Sequence, residues 1–416
     1  MDTFVIEGGN RLNGEIELQG SKNATLPILA ACVMIESEVT LTNVPEIDDV
    51  KNLLDIIRGK GANIIKSRHV LSVDCSQIQN KETVDETVKK LRSSVFLLGP
   101  LLSRFKSAVI SFPGGCQIGK RPIDIHINAF KEMGVVISEE EDRIVCDARE
   151  IHSAEISLNF PSVGATENII MAAAQVNGIT VIKNAAKEPE IVELQNFLNA
   201  CGGKIHGAGT DVIFVEGVER LCGTEYTIAS DRIALGTYLL AVGVCGGCVK
   251  VKNVVKYTKD EILFKLLKSS CKTEFDNDII IINSEKCSYC VPDVTTGPYP
   301  DFSTDLQASY AVYACFAEGE THITERVFEN RFGHMIELQK MGANIEINDR
   351  KATLYGVKKL FGREVFAKDL RGGAALVTAG MAAQGITVIR DIHHIDRGYE
   401  SIEKVYNILG AKIYRT

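Results

Sequence analysis

An internal repeat constrains this chain more than any other feature. From Ser21 the sequence runs SKNATLPILAACVMIESEVTLTNVPEIDDVKNLLDIIRGKGANI, and from Asp369 it runs DLRGGAALVTAGMAAQGITVIRDIHHIDRGYESIEKVYNILGAKI. Both segments keep one order: a polar or charged helix start, an apolar small-residue helix, a strand, an amphipathic helix and a closing Gly-x-x-Ile. The order recurs from Arg92 (RSSVFLLGPLL), Ser162 (SVGATENIIMAAA), Asp231 (DRIALGTYLLAV) and Thr304 (TDLQASYAVYACF), with SAVISF, GITVIKN, GCVKVKN and ETHITE as the following strands. Second helices close at Gly61, Gly134, Gly202, Cys271, Gly342 and Gly410. That spacing of about 70 residues marks a tandem supersecondary unit. Glycine suits a helix end because it accepts the left-handed conformation without a steric penalty. Cys271 breaks the rule, and the fourth repeat is the most degraded elsewhere too.

Two helices with interleaved strands in each unit give an α/β (α+β) fold. The first helix of each unit is apolar nearly all round and should be buried, while the second has one polar face and should lie outside. The longest apolar run, Ile233 to Val251, contains four glycines and reads as a buried helix that turns into a strand. Six units exceed one core's capacity, so three plus three is the natural division, with a boundary near Ala229–Ser230. Residues 1–20 belong to neither set on the repeat alone.

The 416 residues carry a formal net charge of −8, which excludes an overall basic field for nucleic acid or anionic lipid. Positive charge that binds an anionic substrate must therefore be local. The N-terminus, MDTFVIEGGNRLNGEIEL, has neither the basic start nor the apolar block of a signal peptide, so a cytoplasmic protein is expected. Twelve scattered cysteines in such a chain are expected to be reduced thiols. Cys245 with Cys248 (CGGC) and Cys287 with Cys290 (CSYC) have zinc-knuckle spacing, but no other ligand-rich residues surround them, so no metal is expected. There is no P-loop, HExxH or GxSxG motif, and GGKIHGAG near Gly202 follows a helix rather than a strand, so no nucleotide cofactor is expected either.

Chemistry concentrates in a few places. In FPGGCQIGKRPIDIH, Gly114, Gly115 and Gly119 hinge a loop that holds Cys116 beside Lys120 and Arg121. Nearby cations favour the thiolate, so Cys116 is either a reactive residue on a lid or an incidental cysteine in a surface turn. Lys22, Arg92, Arg232 and Arg371 all stand at starts of the apolar helices, where unpaired N–H groups already favour anions. They predict a substrate bearing phosphate or carboxylate, and Arg331 and Arg397 extend the same field. Asp305 opens the fifth unit's helix, and by residue type alone it reads as an N-cap. His126 is open to packing or catalysis; His393 and His394 are expected to point to opposite sides of an extended segment.

PGGCQIGKRPIDIH, GSKNATLPILAA and HIDRGYE, with KEPEIVELQNFL, GPYPDFSTDLQA, ITERVFENRFGHMIEL and DLRGGAALV, resemble the UDP-N-acetylglucosamine enolpyruvyl transferases of bacterial cell-wall synthesis. The likeness extends from Phe4 to Tyr414. It implies two similar domains, each an inside-out α/β barrel of three units, with substrates in the cleft between them: residues 1–20 with 230–416, and 21–229 carrying the catalytic loop 112–122. It implies transfer of a carboxyvinyl group from phosphoenolpyruvate to the sugar 3-hydroxyl, with Cys116 as the general acid that fosfomycin alkylates and Asp305 as the base. Lys22, Asn23, Arg121, Arg371 and Arg397 match phosphoenolpyruvate-binding positions. Arg92, Arg121, Pro122, Asp124, Ser162, Val163, Gly164, Asp305 and Val327 match positions that hold the UDP-sugar.

Some segments depart from the family. TIASDRIALGT lacks a proline and an acid often found there, Phe160 replaces a lysine that some members place near the nucleotide, and Lys256 to Val291 matches poorly. The nearest rival is a shikimate-pathway enolpyruvyl transferase, which would not be expected to carry the PGGC loop. A non-catalytic UDP-sugar-binding paralogue is the rival of a different class.

Overall fold

The computed structural model describes residues 2–82, 92–111, 123–141, 143–255, 261–285 and 289–416. In chain order the repeats supply α1 (Lys22–Ala31) and α2 (Asp48–Gly59); a 3-10 turn, Arg92–Leu97, leading into α3 (Leu98–Phe105), and α4 (Asp124–Glu132); then α5 (Val163–Ala173) and α6 (Pro189–Ala200). The later repeats supply α7 (Arg232–Cys245) and α8 (Glu261–Leu267), α9 (Gln307–Cys315) and α10 (Gly333–Lys340), and α11 (Leu370–Ala382), α12 (His393–Asp396) and α13 (Ile402–Ile408). Every residue of α7 after Arg232 is buried, and the strand Gly247–Lys252 follows at once. By contrast α2 buries Val50, Leu53, Leu54, Ile56 and Ile57 while Lys51, Asp55 and Arg58 stay outside.

The third repeat shows the unit plainly. Glu155–Ser157, α5 and Ile179–Lys183 form a strand–helix–strand crossover with the two strands parallel, Ile156 opposite Ile182. After α6 the chain returns as a hairpin, Lys204–His206 and Val212–Glu216, whose second strand pairs antiparallel with Ile179–Lys183. A parallel pair needs a crossover, and burying the crossover helix against the sheet gives each unit its apolar side. Among the described residues there are six sheets; five have four strands with one parallel pair each, and one has three antiparallel strands.

The closing glycines act one residue beyond the helix cap. Gly61, Gly134, Gly202, Gly342 and Gly410 have φ between +85° and +108°. In each case the glycine N–H and the next N–H return to carbonyls of the last turn, as in Gly202 N to Asn199 O at 3.0 Å and Gly203 N to Leu198 O at 2.9 Å. That is the Schellman arrangement, which satisfies carbonyls a helix end leaves over. At the fourth repeat Cys271 instead begins the strand Cys271–Asp276.

By contacts the chain forms two compact units, one of Met1–Gln19 with Ser230–Thr416 and one of the described residues between Gly20 and Ala229. Each has its own buried apolar cluster. Two N-terminal strands complete the first unit. β1 (Phe4–Glu7) lies antiparallel between Ile386–Arg390 and Lys412–Arg415, so it serves as the last hairpin strand of the sixth repeat. β2 (Leu12–Glu17) lies parallel to Gly247–Lys252 and opens the fourth. In the other unit Glu225–Thr227 comes back to lie parallel to Val39–Thr42, opening the first repeat from the end of the third.

Candidate active site

Four of the six buried helices begin with a side-chain cap: Ser21, Ser162, Asp231 and Asp369 each accept backbone N–H groups of the first turn. The fifth repeat departs from this, and Asp305 is not the N-cap its residue type suggests. Helix α9 begins at Gln307 after Leu306, with no side-chain cap. The Asp305 carboxylate is drawn to two arginines instead: Arg331 Nη2 donates to Oδ1 at 2.7 Å and Arg371 Nη2 to Oδ2 at 3.2 Å. The Asp305 side chain keeps 25% of its surface, against 4% for Arg331 and 3% for Arg371. The most open member of the cluster is thus the carboxylate.

Arg371 owes its position to the first turn of α11. Asp369 Oδ1 accepts the Arg371 and Gly372 N–H groups at 3.0 and 2.9 Å. The guanidinium lies over the Tyr399 ring, 5.4 Å from its centroid. Its Nε and Nη1 are buried without a hydrogen-bond partner. Burial works against the charge, but Tyr399, Asp305 and Asp231 more than offset it, and the pKa stands above the ordinary arginine value. Buried N–H donors left unpaired cost free energy, and Nε of Arg331 is in the same position.

Arg331 is held on the other side. Its Nη1 donates to Thr304 Oγ1 at 3.0 Å, and Thr304 Oγ1 donates to Glu325 Oε2 at 2.8 Å. The buried Glu325 also accepts from Thr296 Oγ1 (2.8 Å), Val327 N (2.8 Å) and Phe328 N (3.1 Å). Val327 is therefore positioned through its backbone. Residue type alone does not mark Glu325, but the repeat carries a signal. At the matching strand end the first, third, fourth and sixth repeats place Asn43, Asn184, Asn253 and Asp391, all with φ between +53° and +60°. Three of those side chains bond the parallel partner strand's carbonyls. Glutamate in that place breaks the pattern of the repeat.

In the Gly20–Ala229 unit, Ser21 caps α1 and Lys22 follows in the first turn, where the helix dipole disfavours a cation. Asp49 at the start of α2 compensates, with Oδ2 3.0 Å from Lys22 Nζ and both side chains largely buried. Asn23 is half-buried beside it. Ser162 caps α5 through Ala165 N at 3.4 Å, with Val163 and Gly164 half-buried in the first turn. His126, on α4, is buried and bonds Asn168 at 3.0 Å, and a Cβ on Gly164 would sit 3.4 Å from its ring. Asp124 is exposed at the start of α4, and Phe160 is 42% exposed. Cys116, Arg121 and Pro122 lie outside the described residues, as does the side chain of Arg92, whose backbone opens the 3-10 turn.

The remaining basic and histidine positions divide. Arg232 lies over the Tyr299 ring at 5.8 Å. Arg397 is half-buried at the end of α12. His393 and His394 do not point apart. They belong to helix α12 rather than to an extended segment, and their rings lie 4.1 Å apart. Among the described residues no group of three His, Cys, Asp or Glu side chains could hold a metal ion. Cys245 is buried at the end of α7, whereas Cys248 and Cys290 are exposed.

A carboxylate beside a buried arginine with unused donors, on a six-unit α/β framework, defines a class. Among solved structures the chain is similar to the enolpyruvyl transferase NikO from Streptomyces tendae, with a TM-score of 0.89 over 100% of this chain and 99% of that one at 23% identity. It is also similar in fold to EPSP synthase from Acinetobacter baumannii, with a TM-score of 0.77 and full coverage of both chains at 17% identity. The family model described as EPSP synthase (3-phosphoshikimate 1-carboxyvinyltransferase) matches residues 6–406, and the chain belongs to this enolpyruvyl transferase family. Its full-length relatives carry a narrower name. UDP-N-acetylglucosamine 1-carboxyvinyltransferase 2 of Caldanaerobacter subterraneus subsp. tengcongensis is 46% identical over 100% of both chains. UDP-N-acetylglucosamine 1-carboxyvinyltransferase of Coxiella burnetii is 45% identical over 100% of this chain and 96% of its own. That of Hydrogenovibrio crunogenus is 42% identical over 100% of both. The family resemblance and fold class read from the sequence are thereby borne out.

Proposed function

We propose that this protein transfers the carboxyvinyl group of phosphoenolpyruvate to the 3-hydroxyl of UDP-N-acetylglucosamine with release of phosphate, the first committed step of peptidoglycan precursor synthesis. The observation that carries the site reading is Asp305 joined to Arg371, a proton acceptor next to a cation with two unpaired buried donors. Full-length relatives named for this activity support the acceptor. The likeness to EPSP synthase structures, at 17% identity, speaks to fold and gives the shikimate acceptor no support.

In the proposed reaction Cys116 delivers a proton to C3 of phosphoenolpyruvate while the sugar 3-oxygen adds to C2 and its proton passes to Asp305. The resulting ketal loses phosphate and one C3 proton, and the C2–C3 double bond re-forms. Lys22, Asn23, Arg121, Arg371 and Arg397 neutralise the carboxylate and the leaving phosphate. Arg92, Arg121, Pro122, Asp124, Ser162, Val163, Gly164, Asp305 and Val327 hold the UDP-sugar. One C–O bond forms at C2, the C2–O bond to phosphate breaks and protons are exchanged, with no change of oxidation state, so the steps draw on no redox cofactor.

The domain division of 1–20 with 230–416 against 21–229 is part of the same proposal, supported by the two separate cores and the pairing of β1 and β2. So is a cytoplasmic setting; among the described residues no helix is long and apolar enough to cross a membrane.

The test is phosphate release from phosphoenolpyruvate with UDP-N-acetylglucosamine or shikimate 3-phosphate as acceptor, in wild type and Cys116→Ala. Release with the UDP-sugar alone, lost in the variant, is expected. Release only with the shikimate acceptor would replace the proposed substrate, and tight UDP-sugar binding without release would indicate a non-catalytic paralogue.

A further inference from the structure

In the first, third and fourth repeats one arrangement closes the strand that follows the buried helix. The N–H groups of Ile228, Leu158 and Leu18 donate to the last strand carbonyls, of Thr42, Lys183 and Lys252, at 2.9–3.0 Å. The next residue, Asn43, Asn184 or Asn253, is left-handed and donates through Nδ2 to the carbonyl of that same partner at 2.7–2.9 Å. The fifth repeat keeps the first bond, Thr296 N to Thr324 O at 2.9 Å, and replaces the second. Glu325 follows without a left-handed φ, and Thr296 stands where those repeats place Ile228, Leu158 and Leu18. The Thr296 hydroxyl donates to Glu325 Oε1 at 2.8 Å and accepts the Arg326 N–H at 3.0 Å. Glu325 Oε1 also accepts the Val327 and Phe328 N–H groups at 2.8 and 3.1 Å. Both members of the contact have changed, and three successive N–H groups turn onto the new pair.

Glu325 is 1% exposed, and its other oxygen accepts from Thr304, the residue before Asp305. Burying a carboxylate is costly unless it is fully hydrogen-bonded, and the asparagine of the other repeats closes a strand end without that cost. What the pair adds is a fixed path for residues 326–328, joined through one carboxylate to the segment that carries Asp305. With its N–H committed to Glu325, Val327 has only its carbonyl oxygen to offer from the main chain, and among the described residues that oxygen accepts no hydrogen bond. We propose that Glu325 and Thr296 are a positioning pair for the acceptor substrate: they hold the Val327 peptide so that its carbonyl oxygen receives a hydroxyl or amide hydrogen of the sugar. The proposal rests on the function set out above, in which Val327 is one of the UDP-sugar positions. Neither side chain touches substrate; both act through the backbone of residues 326–328.

The experiment compares Glu325→Asn, Glu325→Gln and Thr296→Val with wild type in the full chain. It reads Kd for UDP-N-acetylglucosamine by calorimetry, KM for each substrate and amide hydrogen exchange over residues 326–328, with thermal unfolding to verify the fold. Glu325→Asn installs the residue of the other repeats, so it is expected to fold, but its shorter side chain withdraws from the Val327 and Phe328 N–H groups. Its Kd and KM for the UDP-sugar are expected to rise about 10-fold, with KM for phosphoenolpyruvate changed by less than about 2-fold. Exchange at Val327 and Phe328 is expected to quicken. Glu325→Gln keeps an oxygen for those N–H groups, so its UDP-sugar Kd is expected within about 3-fold of wild type. Thr296→Val is expected to weaken UDP-sugar binding in the same direction, and it decides the matter should Glu325→Asn fail to fold. An unchanged UDP-sugar Kd in folded Glu325→Asn or in Thr296→Val would overturn the proposal, and so would equal rises in KM for both substrates. Wild type that neither binds the UDP-sugar nor releases phosphate with it would overturn the functional reading itself, and the positioning role with it.

Discussion

His334 lies near Arg331 and Asp369, and burial favours its neutral form. It is 2% exposed on α10, and a Cβ on Gly372 would lie 3.0 Å from its own Cβ. Burial pushes its pKa from the ordinary histidine value of 6.5 down to about 4, with Asp369 opposing the shift and Arg331 adding to it. Between those two values the unfolded chain binds a proton that the native protein does not. Stability is therefore full above about pH 6.5 and declines as pH falls toward 4, by up to about 3 kcal/mol from this group. Urea unfolding of wild type and His334→Asn at pH 7 and pH 4.5 should show the smaller pH dependence in the variant. Equal slopes would mean that His334 titrates as it does in an unfolded chain. Little of this was visible in the sequence. Arg331 could be named as part of a basic field, but its pairing with Asp305 depends on the separate chain segments that hold the two residues. Asp305 itself looks like a cap until the helix is seen to begin two residues later.

At the scale of elements the repeat was the most legible part of the molecule, because left-handed glycine and apolar periodicity are local properties. Gly202 has φ +95° and no atom within 4 Å of where a Cβ would go. Gly202→Ala should therefore cost only the backbone penalty, about 1–2 kcal/mol. Gly59 lies in the last turn of α2, is exposed and also has open space around it, but its φ is not left-handed. Gly59→Ala should stabilise by about 0.5–1 kcal/mol. Denaturant midpoints of the two variants should move in opposite directions, and movement in the same direction would refute the argument. The fourth repeat shows where local grammar fades. Cys271 replaces the closing glycine after its outer helix α8, and begins a strand instead.

For the whole molecule, strand exchange at the ends of the repeat series decides which residues fold together. β1 buries Phe4 and Ile6 completely, and β2 and its continuation bury Leu12, Ile16 and Leu18, all within the core of the Ser230–Thr416 unit. The Gly20–Ala229 unit takes its closing strand, Glu225–Thr227, from its own end. A fragment of residues 20–229 should accordingly unfold cooperatively by itself. Residues 230–416 should do so only when residues 1–19 are supplied, in cis through a linker or as a peptide. Cooperative folding of 230–416 alone, measured by circular dichroism and denaturant titration, would show that β1 and β2 are dispensable.

The sequence by itself determined the repeated unit, the buried and outer helix of each copy, the glycine-closed helix ends and the family. Periodicity, capping and left-handed turns are set by neighbours a few residues apart, and long motifs survive as strings. Tertiary structure alone decided that β1 and β2 complete the sixth and fourth repeats, that Asp305 answers to Arg331 and Arg371 rather than to its own helix, and that Glu325 anchors one of them. Each of those depends on backbone and charge brought together from far apart in the chain, where burial and hydrogen-bond satisfaction, rather than spacing, select the partner.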